Sequence, residues 1–433
     1  MSAEKPRQIA VRLLQRHGNG SGWLEELLDQ ELARTSLERA DRALIQELTF
    51  GVVRWQATLD WLIARKTAGR TQKSLLQILL RLGLYQLFWL DRIPDHAAVN
   101  DSVQLARELG FGPQSGFVNA LLRGCLRERA NLERQLHDLQ HSQPHLGYSH
   151  PQWLCDRWAQ RWGPEKLRAL LEWNNAPPPL FVRVNTLRTT PEKLAAQFQS
   201  EGVLCQPRAF DWTSRDLVFE LKSHPALTTL ASFRHGSFYV QDPSTLLAVL
   251  ELGPQPGEAV LDLCAAPGGK ATFIAQLMQD RGLVTAEEAD TERSRLLREN
   301  CDRLGLTCVQ IARPAPTTKS EGAEVFDRIL IDPPCSNTGV MRRRVELRWR
   351  VQPAEIERLR GVQLALLGRA APRLKPGGTL VYSTCSLEPE ENSGVVQQFL
   401  SAQPAFRLEA ERTLTPLTEG VDGAYVARLR KGG

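Results

Sequence analysis

No two of the eight cysteines stand in CxxC spacing, and none joins a histidine in an array of ligand spacing, so zinc or another metal is not expected. No segment is long and apolar enough to cross a bilayer. The most apolar run, LLQILLRLGLYQLFWL at 75–90, is too short and is interrupted by Arg81, so it reads as a buried helix and no membrane partner is expected. The N-terminus lacks the pattern of a secretory leader, and scattered thiols suit a reducing compartment, so a cytoplasmic location is expected. Internal repeats and low-complexity tracts are absent too. The net charge of +5 is too small to demand a nucleic-acid partner, though it permits one where the charge is clustered. What remains is an ordinary globular composition, 42% hydrophobic and 24% charged, over 433 residues, which excludes a disordered chain and leaves room for two or three domains.

Three regions follow one another. Residues 1–140 carry apolar residues at three- and four-residue steps almost throughout, from RQIAVRLLQRH to GFVNALLRGCLRERA, with loop signals such as RIPDH between them. An all-α bundle is predicted. Its Arg65, Lys66, Arg70 and Lys73 read either as a solvated helix end or as an RNA-facing patch. Residues 141–235 open with aromatic helices (HPQWLCDRWAQRWG, EKLRALLEWNN), cross Pro177-Pro178-Pro179, and continue as a small α/β module around LFVRVNTLRTT, with Arg183 and Arg188 available for phosphates. From 236 to 433 strands and helices alternate: EAVLDLCAA, KATFIAQLMQ, GLVTAEEA, TERSRLLRENCDRLG, TCVQIA, DRILID and GTLVYSTC. That rhythm predicts a doubly wound, mostly parallel sheet with ligands at its C-terminal edge. DGAYVARLRK is expected as an added edge strand.

LDLCAAPGGKAT sets a tight Gly268-Gly269 turn between a strand and a helix start, where backbone approaches a ligand closely and helix amides can donate to it. Neither a P-loop nor a GxGxxG pattern fits. An S-adenosylmethionine loop fits, with a carboxylate ending the next strand to accept from both ribose hydroxyls. Glu288 is the candidate, although Glu287 and Asp290 lie close enough to leave the register open.

Two thiols follow strand-like runs: Cys335 in IDPPCSNTG and Cys385 in VYSTCSLEPEEN. A disulfide, a metal pair, core filling and catalysis all remain formal readings. Their place at the ligand-bearing edge, among small polar residues, favours catalysis. Cytosine C5 accepts a methyl group only after a thiolate adds to C6, and the C5 proton must then be removed so that the thiol can leave. One thiol for addition and one for elimination would give both a role. Asp332 could bind or protonate the edge of the base, presented by a Pro333-Pro334 turn of unusual peptide geometry. The rival chemistry, methylation of an exocyclic amine, uses a related turn ending in an aromatic residue; DPPC lacks it. Just downstream, VMRRRVELRWR puts Arg342, Arg343, Arg344, Arg348 and Arg350 around Trp349, a pattern suited to phosphate contacts and base stacking.

LDLCAAPGGK, FDRILIDPPCSNTGVMRR, LKPGGTLVYSTCSLEPEEN and DGAYVARLRK resemble the motifs of the bacterial rRNA cytosine-C5 methyltransferases of the Sun (Fmu) family, which modify small-subunit (16S) ribosomal RNA. IPDHAAVNDSVQLARELG and GFVNALLRG resemble the NusB-like helical RNA-binding domain of those enzymes. The resemblance covers essentially the whole chain. It implies a multidomain α and α/β architecture: a NusB-like bundle, a small α/β linker subdomain and a Rossmann-like methyltransferase domain. It also implies that Cys385 attacks C6 and Cys335 promotes release. Cys264, Ala265, Ala266, Pro267, Gly268, Gly269 and Lys270 would cradle S-adenosylmethionine, with Glu288 on the ribose and Asp332 near both the methyl donor and the base.

Two departures stand out. Glu288 replaces the usual Asp, and Ala312 stands near the place where an Asp usually contacts adenine, so adenine is expected to be held differently. The expected partner is small-subunit rRNA and the expected state a monomer. A second reading makes the chain an RNA-binding assembly or antitermination-type factor with an inactive methyltransferase domain.

Overall fold

The computed structural model describes residues 5–20, 22–34, 37–314 and 325–433. The chain forms two units. One runs to Ala176 and includes Met341–Arg350; the other comprises Pro177–Val340 and Val351–Gly433.

The first unit is helical, as the apolar periodicity predicts. Among its helices are Pro6–Gly18, Arg39–Arg54, Ser74–Trp89, Asp95–Glu108, Ser115–Arg127 and Gln152–Asn175. The apolar run becomes the helix Ser74–Trp89, in which Leu79, Leu80, Leu82 and Leu84 are fully buried in the unit's core. Arg81 reaches out of that helix to a two-pronged ion pair with Asp60. The aromatic helices at 152–175 are continuous except at Gly163, whose φ of +81° before Pro164 breaks the ladder. Of the basic cluster at 65–73, Lys66 pairs with Glu128 and Arg65 lies over the Trp61 ring, while Arg70 and Lys73 are exposed.

The arginine run departs from its predicted role. Met341–Arg350 belongs to the helical unit, and much of it is interior. Arg348 is completely buried: its guanidinium donates to the carbonyls of Val345, Arg54, Ser149 and Asn174 and to Asn175 Oδ1 at 2.7 Å. Trp349 Nε1 donates to Val53 O, Arg342 stacks on Trp173, and Arg350 lies over Trp23. Glu346 accepts from the first backbone amide of the helix Leu24–Arg34 at 3.0 Å, one of the donors every helix start leaves free. Arg344 stays exposed. A charge run reads as a solvated face unless carbonyls converge on it, and here they do.

The second unit holds two sheets. The smaller, β1 (Leu180–Val184), β2 (Leu204–Arg208), β3 (Val218–Ser223) and β4 (Phe238–Val240), is antiparallel in the order β2-β3-β1-β4 and packs on the helix Pro191–Ser200 through Val182, Val184, Leu194, Phe198 and Phe238. The larger contains β5 (Ala259–Leu263), β6 (Leu283–Glu287), β7 (Val309–Ala312), β8 (Phe326–Ile331), β9 (Leu374–Thr384), β10 (Phe406–Leu414) and β11 (Ala424–Lys431), ordered β10-β11-β9-β8-β5-β6-β7. Strands β5 to β9 are parallel to their neighbours within that group. The order reverses between β5 and β8, the switch point at which an open α/β sheet leaves a crevice at its carboxyl edge.

DGAYVARLRK forms β11, but not at the edge. FRLEAERTL adds β10 outside it, and its Arg407, Glu409 and Arg412 give the open edge the charge that discourages further pairing.

Replacing Arg348 with Met should lower unfolding stability by roughly 2–4 kcal/mol, because buried carbonyls lose their donor. Arg344→Met, at an exposed position, should stay within about 0.5 kcal/mol of the parent. Denaturant unfolding checks both, and a parent-like midpoint for Arg348→Met would contradict the structural role.

Candidate active site

The chain leaves β5 through Cys264, whose φ is +63°, passes a cis Ala266–Pro267 bond, and enters the helix Gly269–Leu277 at Gly268. Pro333-Pro334 carries no cis bond. Gly268 has a φ of +108°, and a Cβ there would stand 2.6 Å from the Leu297 side chain, so only glycine fits. The loop is pinned from outside by Arg293, which donates to Ala266 O, and by Asn300, which donates to Pro267 O. From behind, the fully buried Arg183 of β1 donates to Gly269 O at 2.9 Å, to Thr272 Oγ1 at 3.0 Å and to Gln241. Arg183, read from sequence as a phosphate contact, is therefore an internal brace of this loop.

Three acidic groups border the crevice. Asp262, the fourth residue of β5, is fully buried, and among the described residues neither carboxylate oxygen has a hydrogen-bond partner. Burial, with Asp332 and Glu288 nearby, pushes its pKa up to about 8. The three acids at 287–290 differ in their partners. Glu287 turns to Arg373 at 2.7 Å, and Asp290 caps the helix Thr291–Leu304 by accepting from Arg293 N. Glu288, 5% exposed, is left near Asp262 and Cys264, with Arg293 3.4 Å from one oxygen. Burial first, then Asp332 and Glu288, pushes the Cys264 thiol up to about 12, so it stays protonated. Ala312 closes β7 and its carbonyl accepts from Glu288 N; residues 315–324 beyond it lie outside the described part.

The thiols converge. Strands β8 and β9 are parallel neighbours with Ile331 opposite Tyr382, so the loops that follow them leave the sheet side by side. Cys335 Sγ lies 3.5 Å from Cys385 Sγ, well beyond a disulfide bond of about 2.05 Å, and both thiols are free. Cys385 donates to Asn337 Oδ1 at 2.9 Å, and Asn337 Nδ2 donates to Cys335 O at 2.6 Å. Gly339 seals the pair: its amide donates to Cys385 O, and a Cβ there would come within 2.7 Å of that oxygen and of Gly423 Cα. The Cys335 pKa is raised well above the ordinary thiol range, first by its hydrogen bond to Cys385 and then by burial.

Lys270 joins the two halves of the site. Its Nζ lies 2.6 Å from Asp332 Oδ2. Burial disfavours the ammonium, but the charge and hydrogen bond of Asp332 outweigh that, and the Lys270 pKa is raised. The loop, Glu288 and the thiol pair thus follow the carboxyl ends of the adjacent parallel strands β5, β6, β8 and β9, on either side of the switch point. Sequence reasoning missed Arg183 and Asn337 in these roles. Asn337, at a φ of +56°, sits in the quoted CSNTG turn, whereas nothing local distinguishes Arg183.

The description 16S rRNA methyltransferase RsmB/F matches residues 249–430, that of the NusB family residues 4–127, and that of an RsmF/B-like ferredoxin-like domain residues 150–211. The chain is 33% identical over its whole length to all of a probable ribosomal RNA small subunit methyltransferase B of Bacillus subtilis. It is 36% identical to the Synechocystis protein of the same name, covering 98% of this chain and 99% of that one. Among solved structures, a methyltransferase homolog from Pyrococcus horikoshii is 32% identical with a TM-score of 0.58, covering 66% of this chain and 97% of its own.

The orphaned Asp262 has a measurable consequence. Its folded pKa, about 8, lies above the ordinary value of 3.8, so between these the folded chain keeps a proton that the unfolded chain has released. Its contribution to stability is therefore present at low pH and is lost as pH rises towards 8. Asp262→Asn should unfold later than the parent at about pH 8, by on the order of a few kcal/mol, and the gap should shrink towards about pH 5. Urea midpoints across that range check it; a gap that widens on acidification would contradict the burial argument.

Proposed function

The chain belongs to the RsmB/F family of 16S rRNA methyltransferases, and from that premise we propose that it methylates C5 of a cytidine in small-subunit rRNA through a covalent bond between Cys385 and C6 of the base. The observation that carries this reading is the 3.5 Å approach of two free thiols beside the Lys270–Asp332 pair. S-adenosylmethionine, the family's cofactor, supplies an electrophilic methyl group on a sulfonium centre.

The crevice fits that group. Asp332 pairs with Lys270 and Glu288 faces Arg293, while Asp262, protonated below about pH 8, is left without a hydrogen-bond partner among the described residues; a cationic ligand beside it would favour its ionisation, and Glu288 would turn from Arg293 to the ribose hydroxyls. Cys264, Ala265, Ala266, Pro267, Gly268, Gly269 and Lys270 would hold the remainder of the cofactor, the glycines by close backbone approach. Asp332 serves on both sides, near the methyl donor and at the edge of the base. Its Oδ2 is taken by Lys270, which leaves Oδ1 to accept from the exocyclic amine and orient the ring.

The thiols divide the rest of the work. Cys385 adds to C6, pushing the ring's electron pair towards C5. Cys335 owes its raised pKa first to the neighbouring Cys385 sulfur. Once that sulfur is bonded to the base, the largest of these causes is gone while burial remains; Cys335 then gives its own proton to solvent and, as a thiolate, accepts the C5 proton. The C5–H pair then forms the C5=C6 bond, the C6–S bond breaks, and Cys385 leaves as a thiolate. Amino-group methylation would give the two sulfurs no task.

Cys385→Ala and Cys335→Ala, each incubated with rRNA and S-adenosylmethionine and run on a denaturing gel, test this division. Cys335→Ala should accumulate a covalent protein–RNA band. Cys385→Ala should give neither band nor product, with turnover down by at least ~10³-fold. An unimpaired Cys385→Ala would reject thiol addition. Silence from the parent as well, with RNA still bound, would favour an RNA-binding factor.

A further inference from the structure

Glu391 lies in the turn Pro389–Glu391 after β9 and is completely buried, although among the described residues no cation pairs with it. Its carboxylate accepts four donors from three parts of the chain. Oε1 takes Ser336 N at 2.9 Å and Gln363 Nε2 at 3.0 Å; Oε2 takes Ser386 Oγ at 2.6 Å and Ser336 Oγ. Ser336 follows Cys335 and Ser386 follows Cys385, so one carboxylate ties together the residues next to both thiols. Gln363 extends the tie by donating also to Pro334 O at 3.0 Å. An ionised carboxylate is acceptor-only and can satisfy four donors, which an amide or hydroxyl in that place could not. Burying such a group costs several kcal/mol unless those bonds are made, so structural convenience alone is a poor reason for it.

We infer that Glu391 is the positioning residue that sets the spacing of the two thiols, and that the thiol it chiefly holds is Cys335. This rests on the reaction proposed above. The two loops do not depend on Glu391 equally. Ser386 is held independently by Thr384, whose Oγ1 accepts from its amide, and by Asn392, which donates to its carbonyl. Ser336 gives both its amide and its hydroxyl to Glu391, its other side-chain contact being Ser386 Oγ. Gln363, which steadies Pro334 two residues earlier, rests on Glu391 as well. Loosening Glu391 therefore removes the hold on the Ser336 side of the elimination thiol, leaving it only Asn337 on its own carbonyl, while the attacking thiol keeps both anchors of Ser386. Addition proceeds and release fails.

The test is Glu391→Gln in the full chain, with rRNA and S-adenosylmethionine, scored for methyl transfer and for covalent protein–RNA adduct on a denaturing gel. The amide keeps the shape of the side chain, and both serine hydroxyls can rotate to accept from it. The expected result is turnover lowered roughly 10–100-fold, the scale of a misplaced catalytic group, with adduct accumulating as in Cys335→Ala. Turnover at the parent rate, or adduct formation and release falling together, would overturn the inference. Should Glu391→Gln fail to fold, Ser336→Ala carries the test, with a smaller loss but the same excess of adduct; an even loss of both steps would reject it. If Cys335→Ala itself yields no adduct, the thiol reaction is at fault, and the positioning role falls with it.

Discussion

The parallel pairing of β8 with β9 is the constraint on which the site depends. Cys335 and Cys385 are 50 residues apart in sequence, and a crossover through the helix Pro353–Ala370 separates them. Parallel neighbours end at the same edge of a sheet, so the residues following Ile331 and Thr384 emerge together. A one-residue slip would turn every side chain of β9 to the opposite face. The pairing of β5 with β8 does the same for the cofactor loop, placing Leu263 opposite Ile331 and bringing Lys270 to Asp332. Two strand registers thus assemble the loop, the carboxylate and both sulfurs with little further adjustment.

Charge is distributed unevenly around that geometry. The cofactor side gathers acids, with Asp262 bare of hydrogen-bond partners among the described residues, while the thiol side sets neutral donors around the buried carboxylate of Glu391. The first arrangement keeps Asp262 protonated below about pH 8 and favours its ionisation once a cation arrives. The second is satisfied internally and rigid. A site that must admit a charged ligand yet hold two sulfurs at fixed separation benefits from both.

Much of this was legible in sequence. Strand–helix alternation gave the sheet, glycines beside a proline gave the loop, and thiols after apolar runs gave the edge. Glu288 could be named because a strand-like run leads directly into it, although Glu287 and Asp290 became distinguishable only by their contacts with Arg373 and Arg293 N. What stayed hidden was long-range. VMRRRVELRWR looks like a phosphate-binding face, because no local feature reveals that carbonyls of Arg54, Ser149 and Asn174 converge on Arg348. Arg183 and Glu391 were similarly masked: a lone charge gives no sign of being interior. FRLEAERTL escaped notice as a strand because an outer strand is polar on much of its length.

The most direct test of the central claim is the chemical identity of the product. Small-subunit rRNA methylated by the purified protein with S-adenosylmethionine would be digested to nucleosides and separated against standards by mass spectrometry. The account predicts 5-methylcytidine. An N4-methylated cytidine, or a methyl group on any other base, would contradict it, because neither requires two thiols 3.5 Å apart.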